Sequence, residues 1–212
     1  MMKRWMIGLG AMVALGMATA APAQEIAGKY QLKPSIKADA DDKVVLANFI
    51  GHAVKYAEGI TEEKVKKQLA DAGEMLAWLD FRYLDTLLTA YELTGDSELL
   101  DLFAEKFAIY RAQMTKGPDG FLGWWGRAIP PSRPKDNPDK QFDELQSNFR
   151  GMGVLARWVT LAKQDADYAK AHREQIDDAT LLMTEHMFPK WDKRGIWVDL
   201  GDRGGVYRAL LY

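Results

Sequence analysis

Apolar residues recur at helical spacing along most of this chain. In ADADDKVVLANFIGHAVKYAEG, one helical face is formed by Val45, Phe49, His52, Ala53 and Tyr56. Acidic residues stand in the first turn, which suits the helix dipole, and Gly59 follows the last turn. The pattern predicts an amphipathic helix beginning near Asp39, with His52 in its buried face.

Three further segments repeat this helical pattern. Thr61 can cap TEEKVKKQLADAGEML, and WLDFRYLDTLLTAYELTGD is helical through about Leu93. The TGD sequence predicts a turn in which Gly95 is left-handed and Asp96 caps the next helix. That helix, SELLDLFAEKFAIYRAQM, is predicted to end near Thr115.

The second half of the chain repeats the architecture of the first. FDELQSNFRGMGVLARWVTLAKQ and DYAKAHREQIDDATLLMTEHMF predict two helices, the second closed by Pro189. Asp96 aligns with Asp165, 69 residues later, although few letters are shared. No segment predicts a β-sheet. We therefore expect an all-α fold of antiparallel helical hairpins over residues 39–212.

The N-terminus predicts export. MMKRW is a short basic region, and the apolar run from Met6 to Ala20 precedes small residues that favour cleavage after Ala23. The run is short for a membrane span, which needs about 20 residues, although a retained anchor is the alternative. We expect a signal peptide over 1–23, an extended lead-in over 24–38, no stable membrane span after processing, and a periplasmic or secreted protein.

Composition excludes several classes of function. The net charge is −2, and −4 without Lys3 and Arg4, so no basic stripe for nucleic acid remains. The chain has no cysteine, which excludes disulfides, thiolate metal sites and cysteine nucleophiles. The metal, phosphate-loop and serine-hydrolase motifs are absent as well. We expect neither a metal nor a cofactor.

One hairpin resembles a known group of proteins. LDFRYLDTLLTAYELTGDSELLDLFAEKF, followed by GPDGFLGWW, is similar to a hairpin of the (α/α) toroid enzymes, the six-hairpin glycosidases and related polysaccharide lyases and epimerases. The resemblance covers roughly residues 40–205 and implies part of an (α/α) toroid acting on a poly- or oligosaccharide. No catalytic motif matches residue by residue. A closed toroid has more hairpins than this chain holds, so we expect an N-terminal fragment of a longer enzyme, or otherwise a short open array.

The order of the helices predicts where a site lies. The helices that contain Asp80 and Asp143 are two positions apart in an antiparallel series, so they run in the same direction. The loop over 117–142 and the tail over 190–205 return to the same end. Four segments rich in Trp, Arg and Asp should therefore converge there, forming an aromatic and polar pocket of the kind that binds ligands.

Candidate catalytic residues come from these segments: Asp80, Tyr83, Asp143 and Glu144. Hydrolysis would use two carboxylates among these and Asp119, because glycosidases pair an acid with a second carboxylate. β-Elimination would use Tyr83 or another base, with an arginine holding a uronate. For Asp143 and Glu144 the alternative role is capping of the helix that they begin.

Candidate substrate-binding residues are Trp78, Trp124, Trp125, Arg127, Asn148, Arg150 and Trp197. Trp124 and Trp125 could stack on sugar rings or plug the end of the domain. Arg127 and Arg133 could hold a carboxylate or remain surface charges. The expected function is an exported enzyme that cleaves glycosidic bonds. The alternative is a non-enzymatic helical-repeat binding protein of the cell envelope.

Overall fold

A computed structural model of the protein describes residues 29–128 and 134–194. The predicted signal peptide, residues 24–28 of the lead-in, Arg133, Trp197 and the rest of the segment from 195 onwards lie outside the described residues. Residues 29–38 form an irregular segment before the first helix, in which the Lys33 amide donates to the Leu93 carbonyl at 2.9 Å.

Most of the described chain is helical, as predicted. The helices are α1 (Ala40–Glu58), α2 (Glu62–Ala72), α3 (Phe81–Thr94), α4 (Glu98–Ala112), α5 (Leu145–Gln164), α6 (Ala166–Ala171), α7 (Arg173–Leu181) and α8 (Phe188–Lys193). Two π-helical turns, Leu76–Asp80 and Leu182–Met187, lead directly into α3 and α8.

The ends of the helices follow from their sequences. Asp39 forms a reciprocal capping box with Asp42, and Thr61 accepts a hydrogen bond from the Lys64 amide. Gly95 ends α3 with φ of 77°, a left-handed conformation that glycine adopts without strain. The predicted TGD turn is therefore confirmed at Gly95, and Asp96 accepts from the Glu98 amide at the start of α4.

The hairpins stack as the repeat predicts. At the open end of the first hairpin, the Phe81 ring lies 5.3 Å from Tyr110, so α3 and α4 are antiparallel. α5 lies beside α3 in the same direction, because Gln146 faces the groove at Trp78 while Arg157 reaches Asp85 at 2.6 Å. The second helices of the two hairpins also meet in register, through Tyr168–Asp101 and Arg111–Asp178, each pair 67 residues apart.

Two short antiparallel sheets depart from the prediction of an all-α chain. β1 (Thr115–Lys116) pairs with β2 (Leu122–Gly123), and β3 (Trp125–Arg127) pairs with β4 (Gln141–Asp143). They lie in the loop between the hairpins, where the backbone groups of a buried loop need partners. The fold is mainly α, with these ladders fixing the 115–143 segment.

Three local predictions were wrong. His52 is exposed, because the buried face of α1 is formed by Ile50, Ala53, Val54 and Ala57. α4 ends at Ala112, slightly before the expected residue, because the chain leaves the helix for β1. Pro189 does not stop the last helix, because it lies in the first turn of α8, where a missing N–H costs little.

The hydrophobic core fills the space between the hairpins. It contains Phe81, Phe103, Phe107, Trp124 and Trp158 in mutual ring contacts. The Trp158 indole also donates to the Leu100 carbonyl at 3.1 Å, which satisfies its polar edge. Over the described ranges, no helix is long and apolar enough to cross a membrane.

Candidate functional site

Parts of the four predicted segments meet at one end of the hairpins. The Lys190 ammonium, on α8, donates to the Leu122 carbonyl at 2.7 Å, to Asp143 at 2.7 Å and to Asn148 Oδ1 at 2.6 Å. These three acceptors match the three N–H groups of a lysine. One buried side chain thus joins the loop, β4, α5 and α8, which we call the Lys190 clamp.

Arg194 extends this clamp to the rim of the loop. Its Nε and Nη2 atoms contact Asp119 at 2.8 and 2.7 Å, and its Nη1 atom contacts Asp143 at 2.9 Å. The guanidinium also lies 4.8 Å from the Trp191 ring centroid. Asp143 therefore pairs with two cations, Lys190 and Arg194, and accepts a further hydrogen bond from the Asn148 side-chain amide at 2.7 Å.

Burial controls the electrostatics of the clamp. Lys190 and Asp143 side chains are both 0% exposed. Burial lowers the pKa of Lys190, while the neighbouring Asp143 carboxylate opposes that effect. At Asp119, burial favours a higher pKa, but hydrogen bonds from the Phe121 amide and Arg194 outweigh it and leave the pKa lowered. The clamp is a satisfied ion network in which no atom of Lys190 faces solvent.

Glu144 caps the N-terminus of α5. Its carboxylate accepts from the Gln146 amide at 3.0 Å and from the Ser147 amide at 2.6 Å, which is N-terminal capping. Burial raises the pKa of Glu144, against the opposing effect of these hydrogen bonds. Asp143 and Glu144 are thus both committed to holding the fold, and their catalytic role stays a prediction.

The two adjacent tryptophans face different surroundings. Trp124 is 1% exposed, packs on Phe81, and donates its indole N–H to the Tyr110 carbonyl at 2.7 Å. Trp125 is half-buried with its ring centroid 6.0 Å from the Arg194 guanidinium. Trp124 therefore plugs the domain end, which was the alternative to sugar stacking, and its ring has no face open to a ligand.

Glycines let the loop approach the helices closely. A Cβ at Gly123 would overlap the Asp143 carboxylate, and one at Gly126 would lie 2.7 Å from the Leu69 carbonyl. The Arg127 carbonyl accepts from the Gly73 amide at 2.8 Å, and the Arg127 side chain pairs with Asp139 at 2.7 Å at the surface. In the GWWG sequence of residues 123–126, both glycines thus lie close against other segments, while the Trp125 indole is half-buried.

Asp80 points away from the clamp into a separate cavity. It is 4% exposed and accepts from the Tyr56 hydroxyl and the Gln68 amide, both at 2.5 Å. Burial raises the pKa of Asp80, although hydrogen bonds from Tyr56, Gln68 and Tyr110 oppose the rise. Tyr83 is partly exposed and stacks on Tyr56 with centroids 3.8 Å apart.

An open groove runs between the start of α3 and the start of α5. Its volume is about 590 Å³, and its walls include Trp78, Arg82, Gln146, Phe149 and Arg150. The Trp78 side chain is 47% exposed, with the Arg82 guanidinium 5.1 Å from its ring centroid. Two predicted binding residues, Trp78 and Arg150, are therefore brought together, and we call this surface the Trp78 groove.

Sequence reasoning missed Lys190 and Tyr56 as organising residues. Lys190 lies one position beyond Pro189, where the helix was expected to end. Its four-residue spacing to Arg194 on a continuous helix was the signal that could have found it. Tyr56 was assigned to the apolar face, because the pattern does not show that its hydroxyl meets Asp80.

Comparison with known proteins does not assign this chain to a family. No protein-family model, no curated protein and no solved structure matches this chain. In the described parts of the chain, no group of three or more His, Asp or Glu side chains could hold a metal ion.

Proposed function

We propose that this protein is an exported carbohydrate-active protein that binds an acidic poly- or oligosaccharide in the Trp78 groove. The observation that carries the proposal is the exposed Trp78 ring beside two arginines, Arg82 and Arg150, in one open groove. The sequence pattern of a signal peptide supports export.

The groove offers the contacts that an acidic sugar needs. An exposed indole face stacks on the apolar face of a sugar ring, and Phe149 adds a second aromatic wall. Guanidinium groups bind a carboxylate through paired hydrogen bonds, and the Gln146 amide can meet a hydroxyl. Asp85, the acidic residue of the groove, is paired with Arg157 at 2.6 Å, which limits repulsion of a uronate.

The arrangement favours β-elimination over hydrolysis. Hydrolysis needs two carboxylates across the bond, but Asp119 and Asp143 are held by cations and Glu144 caps a helix. Elimination needs a cation on the uronate carboxylate and a base that removes the proton from the carbon beside it. A C=C bond then forms, the C–O bond to the leaving sugar breaks, and the leaving oxygen takes up a proton. Arg82 and Arg150 suit the first task. Tyr83 adjoins Arg82 in sequence but does not line the groove, so its role as base stays a prediction.

An (α/α) toroid is the architecture that we propose for the helical hairpins. Its support is the repeated hairpin, whose equivalent helices lie side by side in the same direction. Stacked hairpins of this kind bury their faces against neighbours, as they do in a toroid.

The direct test is activity and binding on a panel of neutral and uronate-containing polysaccharides. We expect calorimetric binding to the acidic members, and absorbance from unsaturated products if elimination occurs. New reducing ends without that absorbance would indicate hydrolysis. Absence of both binding and product with every member would refute the proposal.

The second candidate is a helical-repeat protein that binds a peptide or protein partner in the envelope. The in-register stacking of two hairpins favours it, because open arrays of such repeats present extended surfaces. This candidate predicts that the chain ignores every saccharide of the panel and binds a protein from the envelope instead.

A further inference from the structure

A second cavity shares no lining residue with the Trp78 groove. It has a volume of about 270 Å³ and is bounded by α1, α2, the first π-helical turn and α4. The residues that matter to its chemistry are Lys55, Tyr56, Lys64, Gln68, Asp80 and Tyr110. It is large enough for more than one or two water molecules, and it does not depend on the function proposed above.

The floor of this cavity holds a buried carboxylate without a cationic partner. Asp80 is 4% exposed, and its described partners are the neutral Tyr56 and Tyr110 hydroxyls and the Gln68 amide. No lysine or arginine within residues 29–128 and 134–194 forms a salt bridge with it. A buried charge without a counter-ion is costly, so this floor is suited to a ligand that brings a positive charge.

The mouth of the cavity, unlike its floor, is positively charged. Lys55 and Lys64 line it from α1 and α2, and both are exposed. The Lys64 ammonium donates one hydrogen bond to the Gly59 carbonyl at 2.5 Å, which leaves two of its three N–H groups for other acceptors. A ligand that enters therefore passes two cations before reaching a carboxylate.

We propose that this cavity binds a small zwitterion, such as a free amino acid, with its ammonium on Asp80 and its carboxylate between Lys55 and Lys64. A simple cation matches the floor but is repelled by the mouth, and a simple anion has the reverse difficulty. The Tyr56 and Tyr110 rings at the floor suit an ammonium, since aromatic faces attract cations. Ile60 and Val65 also line the cavity and can contact the apolar part of the ligand.

The test is isothermal titration calorimetry of the protein with each standard amino acid, free in solution. We expect at least one to bind, and its N-acetylated and amide derivatives, which each lack one charge, to bind more weakly. Failure of every free amino acid to bind at millimolar concentration overturns the proposal. So does equal affinity for a derivative that lacks the ammonium.

Two variants connect the binding to the cavity. Asp80→Asn keeps the size of the side chain and should weaken binding about tenfold or more, the loss expected for a charge-assisted hydrogen bond. Lys64→Ala should weaken it less, while Lys67→Ala, an exposed lysine of the same helix, serves as the matched control. Circular dichroism and thermal unfolding check that each variant is folded. Unchanged affinity in folded Asp80→Asn protein contradicts the assignment, whatever the saccharide experiments show.

Discussion

At the residue scale, two kinds of buried charged group differ in the partners that they have. Lys190 and Asp143 are fully buried and fully hydrogen-bonded, and they join the loop, β4, α5 and α8. Asp80 is buried with neutral partners only, among the described residues. The first arrangement stabilises the structure, while the second leaves a charge that a ligand can meet.

Replacement of Lys190 by Met should destabilise the protein strongly. The substitution leaves Asp143, the Leu122 carbonyl and the Asn148 amide oxygen without their shared donor in a buried site. We expect the free energy of unfolding to fall by about 3 kcal/mol, as when one partner of a buried pair is removed. Urea unfolding measures it, with the exposed Lys193→Met as control. A change below about 1 kcal/mol, the size of a surface effect, would contradict the role of the clamp.

The carboxyl of Asp80 should make stability depend on pH. Folding raises its pKa above the ordinary value of 3.8, so the folded protein holds the proton more tightly than the unfolded chain. Its contribution to the free energy of unfolding is therefore present below 3.8 and is lost as the pH rises through the raised pKa. The Asp80→Asn variant has no carboxyl to titrate at this position. Its free energy of unfolding, relative to that of the wild type, should therefore increase from acid to neutral pH. Urea unfolding at both pH values measures this, and a difference that does not change with pH would exclude the effect.

At the scale of elements, the sequence pattern predicted most of the helices. Asp39, Thr61 and Gly95 act through local capping chemistry, which is visible in a few adjacent letters. The two small sheets were missed because strands of two or three residues carry no periodic signal.

Replacement of two glycines of α5 by alanine should have opposite effects on stability. A Cβ at Gly151 would lie 2.7 Å from the buried Trp124 ring, whereas a Cβ at Gly153 meets nothing within 4 Å. We expect Gly151→Ala to destabilise by about 1–3 kcal/mol through overpacking. Gly153→Ala should stabilise by about 0.5–1 kcal/mol through helix propensity. Chemical unfolding of both variants measures the contrast, and the same sign in both would contradict the packing of Trp124 against α5.

At the scale of the whole molecule, three of the four segments that were predicted to converge meet in the clamp, whereas Asp80 of the fourth lines a separate cavity. Helix order alone indicated that the loop, α5 and the segment after Pro189 would meet. It could not show that Asp143, Glu144 and Trp124 would be used internally, because residue type does not reveal burial. Trp78 and Arg150 remain at the surface on the same groove, so the proposed binding site is smaller than the predicted one.

The central claim, that the Trp78 groove binds an acidic saccharide, is tested most directly by calorimetry with uronate oligosaccharides. Trp78→Ala and Arg150→Ala remove a groove aromatic and a groove cation, while Phe188→Ala removes an aromatic that is 52% exposed and does not line the groove. We predict that the two groove variants each weaken binding about tenfold or more, as loss of a stacking ring or of a charged hydrogen bond implies. Phe188→Ala should bind as the wild type does. Binding that survives both groove substitutions unchanged would contradict the account.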